Sequence, residues 1–93
     1  MSFTFEWDED KALANAKKHR VLFEQAQEIF NDPRAVPYED LEHSADDETR
    51  YVMIGISSIG LLSVSFTYRD KVVRIISARR AEKWMVKVYE DEN

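Results

Sequence analysis

The sequence predicts an α+β domain, because helical periodicity in its first third gives way to strand periodicity in its second half. Apolar residues recur at helical spacing before residue 31 and alternate with a period of two between residues 50 and 77. Short turns separate the alternating segments, as in an antiparallel meander. A final amphipathic segment follows. We therefore expect two N-terminal helices and one C-terminal helix on one side of an antiparallel sheet.

The first third contains one short strand and two helices. Phe3–Phe5 alternates like a strand, and Asp8 is suited to cap a first helix that runs to about Lys18. The second helix takes Leu22 to Phe30, and Pro33 ends it because proline disfavours helix in the preceding residue.

The remaining elements are an edge strand, three meander strands and a last helix. Ala35 to Tyr38 reads as an edge strand containing Pro37, and the acidic stretch Glu39–Glu48 reads as a loop. The meander strands are predicted at residues 50–57, 61–68 and 72–77. The first of them has apolar residues on both faces. The last helix is predicted over about residues 79–92, with Ala81, Trp84, Met85 and Val88 as its apolar stripe.

The bulk composition predicts one domain over residues 1–93. Cysteine is absent, which fits a cytoplasmic location. The N-terminus has neither a basic leader nor an apolar run, so no signal peptide is expected. The apolar stretches are too short to span a bilayer, and we expect no membrane partner.

Positive charge is concentrated in one segment of an acidic protein. The net charge is −5, yet Arg69–Lys83 holds six of the 13 lysines and arginines against two acids. Arginine presents planar donor forks that suit phosphate, so the segment predicts a nucleic-acid backbone as ligand. The alternative is a solvated strand edge, where such charges block aggregation.

Spaced motifs along nearly the whole chain resemble the BrnT toxins, the toxin halves of bacterial type II toxin–antitoxin pairs. The motifs include Phe5-Glu6-Trp7-Asp8, Lys18-His19, Phe30-Asn31-Asp32-Pro33, His43-Ser44, Glu48-Thr49-Arg50, Arg74-Ile75-Ile76-Ser77-Ala78-Arg79-Arg80-Ala81 and Tyr89-Glu90. The resemblance implies a fold like that of RelE-type ribonucleases. It also implies cleavage of RNA that blocks translation, without metal or cofactor.

The resemblance further implies a partner. This is a BrnA-type antitoxin, a ribbon-helix-helix DNA-binding protein, in a hetero-oligomer with a toxin dimer. The operator DNA would be contacted only through the antitoxin, and the complex would repress its own operon.

Metal-free RNA cleavage needs a base for the 2′-hydroxyl, cations for the phosphorane and an acid for the leaving oxygen. The candidate catalytic residues are Arg79, Arg69, His19 and Lys11, and the candidate RNA-binding residues are Arg74, Arg80, Arg50 and Lys71. Arg79 is expected at the start of the last helix, close to Arg69. No metal site is expected, because adjacent acids such as Asp46 and Asp47 diverge in direction.

Structural alternatives remain open for several of these residues. Arg79 could pair with Glu48 or Glu82, and Arg50 could pair with Glu48. His19 could merely cap a helix. His43 is interpreted as a loop contact.

The chain departs from the family pattern at Arg20, where a glycine that ends a helix is usual, at Leu61, where an arginine is usual, and at Met85-Val86, where a Glu-Arg pair is usual. Arg20 disfavours a left-handed cap. The lost arginine and the lost pair weaken the case for full catalytic strength. The missing pair and the net charge of −5 support an alternative function, a catalytically weak or inactive partner that acts mainly as a co-repressor with its antitoxin.

Overall fold

Residues 3–93 fold into five strands and three α-helices, with one 3₁₀ turn. The computed structural model describes residues 3–93. Met1 and Ser2, on which part of the signal-peptide prediction rests, lie outside the described residues. The elements are β1 (Thr4–Glu6), α1 (Glu9–His19), α2 (Phe23–Glu28), the 3₁₀ turn (Ile29–Asn31), β2 (Val36–Glu39), β3 (Arg50–Ser57), β4 (Gly60–Arg69), β5 (Val72–Arg80) and α3 (Lys83–Glu92).

The five strands form one sheet in the order β1-β5-β4-β3-β2. Strands β2 to β5 pair antiparallel, and β3 to β5 are the three meander strands that the alternation predicts. β1 pairs parallel with β5, so the sheet is mixed rather than wholly antiparallel. A parallel neighbour joins a sheet only through a long crossover, which a local pattern cannot reveal.

One face of the sheet, called here the core face, packs against α1, α2 and the 3₁₀ turn. Phe66 of β4 lies near its centre, with the ring of Phe30 at 5.0 Å and that of Tyr51 at 5.5 Å, measured between centroids. Gly55 of β3 permits a close approach of the helical layer, because a Cβ there would lie 2.8 Å from the Cβ of Ile29. Glycine in this strand is therefore explained by packing.

The opposite face, called here the groove face, is partly covered by α3. Val52 and Ser63 line a groove together with Met85 of α3, and they alternate along their strands with the core-face residues Met53 and Val64. Helices therefore lie on both sides of the sheet, and the prediction of one side is wrong. The reason is that β3 is apolar on both faces, and each face must be covered.

The last helix starts later than predicted. β5 continues to Arg80, which pairs with Leu62 of β4, and α3 begins at Lys83. Arg79 therefore lies in a strand and not at a helix N-terminus, because the long β4 offers backbone partners that extend β5. Met85 is buried as predicted, at 3% exposure, but Trp84 is 51% exposed.

The carboxylate of Asp32 fastens α3 to the sheet. One oxygen, Oδ2, accepts hydrogen bonds from the Ile56 N–H at 2.9 Å and from the Tyr89 hydroxyl at 2.7 Å. The other oxygen accepts from the Arg34 N–H at 2.9 Å. Desolvation alone would raise the pKa of Asp32, but these hydrogen bonds outweigh it and hold the pKa below 3.8.

We expect Asp32→Asn to lower the free energy of unfolding at pH 7 by about 1–2 kcal/mol, because hydrogen bonds to a charged acceptor are stronger than those to an amide. The folded-state pKa of Asp32 is depressed, so its contribution is present above pH 3.8 and is lost as the pH falls further. Urea unfolding of wild type and variant at pH 7 and pH 3 should show the difference shrinking in acid. Tyr89→Phe, which removes one donor, should cost about 1 kcal/mol. An equal loss at both pH values would contradict this account.

Within residues 3–93, no helix combines the length and the apolar character that a bilayer-spanning segment requires.

Candidate functional site

The groove on the open part of the groove face has a volume of about 540 Å³, within the range of ligand sites. It is bounded by the end of α1, the loop after β2 and the start of α3, and strands β3 to β5 form its floor. Its polar lining includes Lys18, His19, Tyr38, Asp40, Glu42, His43, Arg50, Ser63, Ser65, Ser77 and Arg79.

Two arginines enter the groove from strands on either side of β4. Arg79 of β5 pairs with Ser63 of β4, and Arg50 of β3 pairs with Thr67. Arg79 Nη2 lies 2.8 Å from Glu82 Oε1, and Arg50 Nε lies 3.0 Å from Glu48 Oε1. Two of the three ion pairs named as structural alternatives therefore exist, and the partner of Arg79 is Glu82 rather than Glu48. Each pair occupies one side of a guanidinium with five N–H donors, so further donors remain for an anion.

A β-bulge decides which arginine of β5 enters the groove. Ser65 pairs with Ser77 but Phe66 pairs with Ile75, which leaves Ile76 as an extra residue. The extra residue reverses the alternation, so that Arg79 lies on the groove face. Arg80 lies on the other side, where its Nη1 donates to the Ile59 carbonyl at 2.8 Å.

His19 reaches the groove because α1 lies beside the part of β5 that β1 leaves unpaired. The side chain of Asn15 replaces a strand partner there, accepting from the Ala78 N–H at 3.0 Å and donating to the Ala78 carbonyl at 2.8 Å. It also donates to the Val21 carbonyl at 2.9 Å. Asn15 thus fixes the end of α1 against the sheet.

Arg20 ends α1 in the left-handed conformation, with φ 59° and ψ 32°. As predicted, arginine disfavours this cap, because the left-handed conformation costs a residue with a Cβ about 1–2 kcal/mol. The cap nevertheless forms. The Arg20 N–H donates to the Ala16 carbonyl at 3.0 Å, and the Asn15 bond to Val21 holds the chain just beyond the turn. Tertiary contacts therefore override the local preference.

His43 makes the loop contact expected of it, with Asp40, and it also lines the groove from the acidic loop. Its Nδ1 lies 2.9 Å from Asp40 Oδ2. A carboxylate at Nδ1 favours the tautomer with the proton on that nitrogen, which leaves the Nε2 lone pair available. The spacing of Asp40 and His43 by three residues was the signal that could have identified this pair.

The other predicted residues do not line the groove. Arg69 lies six residues from Ser63, the β4 partner of Arg79, which is about 20 Å along the strand. The expectation that Arg69 and Arg79 lie close together is therefore wrong, and Arg50 takes the second position. The remaining candidates outside the lining are Lys11, Lys71, Arg74 and Arg80. Arg74 instead pairs with Glu6 at 2.8 Å.

The groove and its rim carry more carboxylates than cations. Three bases and four acids lie in it or pair with its arginines, namely Lys18, Arg50 and Arg79 against Asp40, Glu42, Glu48 and Glu82. A polyanion would bind here weakly, and added salt would weaken it further.

Tyr38 contributes a neutral hydroxyl to the groove. Burial raises its pKa above 10, and the charge of Asp40 raises it further, while the nearby Arg79 opposes the change. The hydroxyl therefore stays protonated at neutral pH and can donate a hydrogen bond. Among residues 3–93, no group of three or more histidine, aspartate and glutamate side chains is arranged to hold a metal ion.

Comparison with protein families identifies a match over most of the chain. The model of a family described as ribonuclease toxin, BrnT, of type II toxin–antitoxin systems matches residues 7–84. No curated protein matches the chain significantly. The matched span runs from Trp7 to Trp84 and contains the groove-lining elements from α1 to β5. Because it covers most of the chain, the protein belongs to the BrnT family of ribonuclease toxins of type II toxin–antitoxin systems.

Proposed function

We propose that the groove binds RNA and cleaves it without a metal ion, in the manner of a RelE-like toxin that blocks translation. The observation that supports this most directly is that Arg79, Arg50, His19 and His43 line one groove. These side chains supply the cations, the base and the acid that transfer of a phosphodiester requires.

The proposed step is an internal displacement at phosphorus. His43 Nε2, oriented by Asp40 at Nδ1, removes the proton of the 2′-hydroxyl. The 2′-oxygen forms a bond to phosphorus and the bond to the 5′-oxygen breaks, which gives a 2′,3′-cyclic phosphate. His19 donates the proton that the departing 5′-oxygen takes up. Arg79 and Arg50 stabilise the charge that develops on the phosphorane oxygens.

The partner that we propose is a BrnA-type ribbon-helix-helix antitoxin. It forms a hetero-oligomer with a toxin dimer, and this complex contacts operator DNA only through the antitoxin. Membership of a type II family implies a protein antitoxin. The acidic loop between β2 and β3 provides a surface suited to a basic partner. We propose that both proteins act in the cytoplasm, where the RNA substrate is made.

We expect purified protein to cleave single-stranded RNA at the same rate in EDTA as in Mg²⁺, because the groove supplies every charge that the proposed step requires. The rate at subsaturating RNA should fall as salt rises from 50 to 200 mM, since phosphate contacts release counterions. The measurements are the lengths of the RNA products on denaturing gels and the presence of 2′,3′-cyclic phosphate at their ends. Cleavage that stops in EDTA and returns with Mg²⁺ would contradict the proposal.

A second candidate function is that of a catalytically weak partner that acts as a co-repressor. It is favoured by the ion pairs that engage both groove arginines, Arg79 with Glu82 and Arg50 with Glu48. Inducible expression with and without the antitoxin distinguishes the two functions. A ribonuclease arrests growth and degrades RNA when expressed alone, whereas a co-repressor leaves growth and RNA unchanged.

A further inference from the structure

An aromatic side chain near Arg79 of the groove is only half covered by protein. Trp84, in the first turn of α3, lines the groove and is 51% exposed, although its spacing in the sequence is that of a core residue. Its ring centroid lies 6.4 Å from that of Tyr38, with the planes tilted by 55°. An indole with an open face that shares a groove with Arg79 can stack on a planar ligand bound there.

A single carboxylate links this indole to Arg79. Glu82 Oε1 lies 2.8 Å from Arg79 Nη2, while Glu82 Oε2 accepts a hydrogen bond from Trp84 Nε1 at 3.2 Å. The guanidinium of Arg79 and the indole nitrogen of Trp84 therefore contact the two oxygens of one carboxylate, which places them close together. A phosphate bound at Arg79 would place an attached base near the indole.

We propose that Trp84 is a base-stacking platform, on which an unpaired base of single-stranded RNA stacks beside the phosphate held by Arg79. The inference rests on the proposed function and adds a substrate requirement to it. The RNA must present an unstacked base next to the scissile phosphate. Paired RNA, whose bases are stacked on each other, is excluded from this contact.

Stacking on Trp84 costs little conformational entropy and depends only weakly on which RNA base is bound. Tryptophan has two side-chain torsions, and the bond to Glu82 already orients the ring, so little freedom is lost on binding. Every base has a flat face, so stacking supplies affinity without strong sequence preference. In a groove where acids outnumber bases, this apolar contribution compensates for weak phosphate attraction.

The test uses the fluorescence of Trp84, which is one of two tryptophans in the chain. In a Trp7→Phe background, Trp84 is the only indole, and the probes are a 2′-deoxy adenine dinucleotide, which cannot be cleaved, and inorganic phosphate. We expect the dinucleotide to quench the emission and phosphate to leave it unchanged. Quenching by both probes alike, or by neither, would overturn the inference.

Substitution supplies a second measurement in the otherwise native chain. Trp84→Leu should weaken binding of the dinucleotide by about tenfold or more, and Trp84→Phe should keep most of the affinity, because stacking depends on the aromatic face. Inorganic phosphate should bind equally to all three proteins. Unchanged dinucleotide affinity in Trp84→Leu would overturn the inference, and weaker antitoxin binding in that variant would then mark the indole as a protein contact.

The outcomes separate the inference from the proposed function. If wild-type protein cleaves RNA and Trp84→Leu binds the dinucleotide normally, stacking fails and the nuclease stands. If the dinucleotide quenches Trp84 but RNA stays whole, stacking stands and the nuclease fails.

Discussion

Replacing Arg79 with alanine is expected to lower the rate of RNA cleavage by about 10²–10³-fold, the usual cost of removing a donor that stabilises transition-state charge. Arg79 is the arginine that the bulge in β5 directs into the groove, and its guanidinium is half exposed there. The ion pair with Glu82 is at the surface, so its loss should change the free energy of unfolding by less than about 1 kcal/mol. The effect should therefore fall on catalysis and not on the fold.

Arg80→Ala is the matched control, because it removes the same chemical group one residue later on the other side of the sheet. Cleavage rates for wild type and both variants, with urea unfolding of each, are the measurements. Expression of Arg79→Ala in cells should also relieve growth arrest while antitoxin binding persists. Full activity in Arg79→Ala, or an equal loss in Arg80→Ala, would show that this groove is not the catalytic site.

The difference between Arg79 and Arg80 shows where sequence patterns stop being informative. Continuing the alternation of Val73 and Ile75 past residue 76 places Arg80 on the groove face and Ala78 away from the core. The structure does the reverse, because Ile76 is the extra residue of a bulge. A bulge inverts the facing of every later residue, and no local composition marks its position in this strand.

Features fixed by short-range physics were predictable. The Asp8 cap forms as predicted, with the carboxylate accepting from the Lys11 N–H at 3.1 Å. The strand predicted over residues 50–57 coincides with β3, because successive side chains of a strand face opposite sides of the sheet and its apolar residues supply both faces. These features depend on neighbours within a few residues of each other.

Features that depend on distant pairing were not predictable in the same way. The predicted closeness of Arg69 and Arg79 is wrong because β4 and β5 are long, and their register separates the two residues. Arg50 and His43 instead reach the groove through β3 and the acidic loop. Only the sheet order brings the β3 and β5 arginines to the two sides of β4.

The buried side chain of Asn15 holds α1, and with it His19, in place beside the groove. It is only 7% exposed, and its amide makes three hydrogen bonds, two to Ala78 and one to the Val21 carbonyl. In the described part of the chain, every buried side-chain nitrogen and oxygen has a partner. Removing the amide would leave backbone groups of β5 and of the turn after α1 buried without partners.

We expect Asn15→Asp and Asn15→Leu each to lower the free energy of unfolding by about 3–4 kcal/mol, because several buried groups lose their partners at once. Asn15→Asp keeps the acceptor for the Ala78 N–H, but its second oxygen faces the Ala78 and Val21 carbonyls without a proton. The matched control is Lys17→Leu on the exposed side of α1, where a change within about 0.5 kcal/mol is expected. Urea unfolding of the four proteins is the measurement.

The pH dependence distinguishes lost hydrogen bonding from lost packing. Once protonated, the carboxyl group introduced by Asn15→Asp would regain a donor for one carbonyl, so this variant should recover part of its deficit relative to wild type as the pH falls. The Leu substitution has no proton to gain, and its deficit should not change. If the two deficits responded alike to acid, the amide would be filling space and not replacing a strand partner. His19 would then owe its place in the groove to the packing of α1 alone.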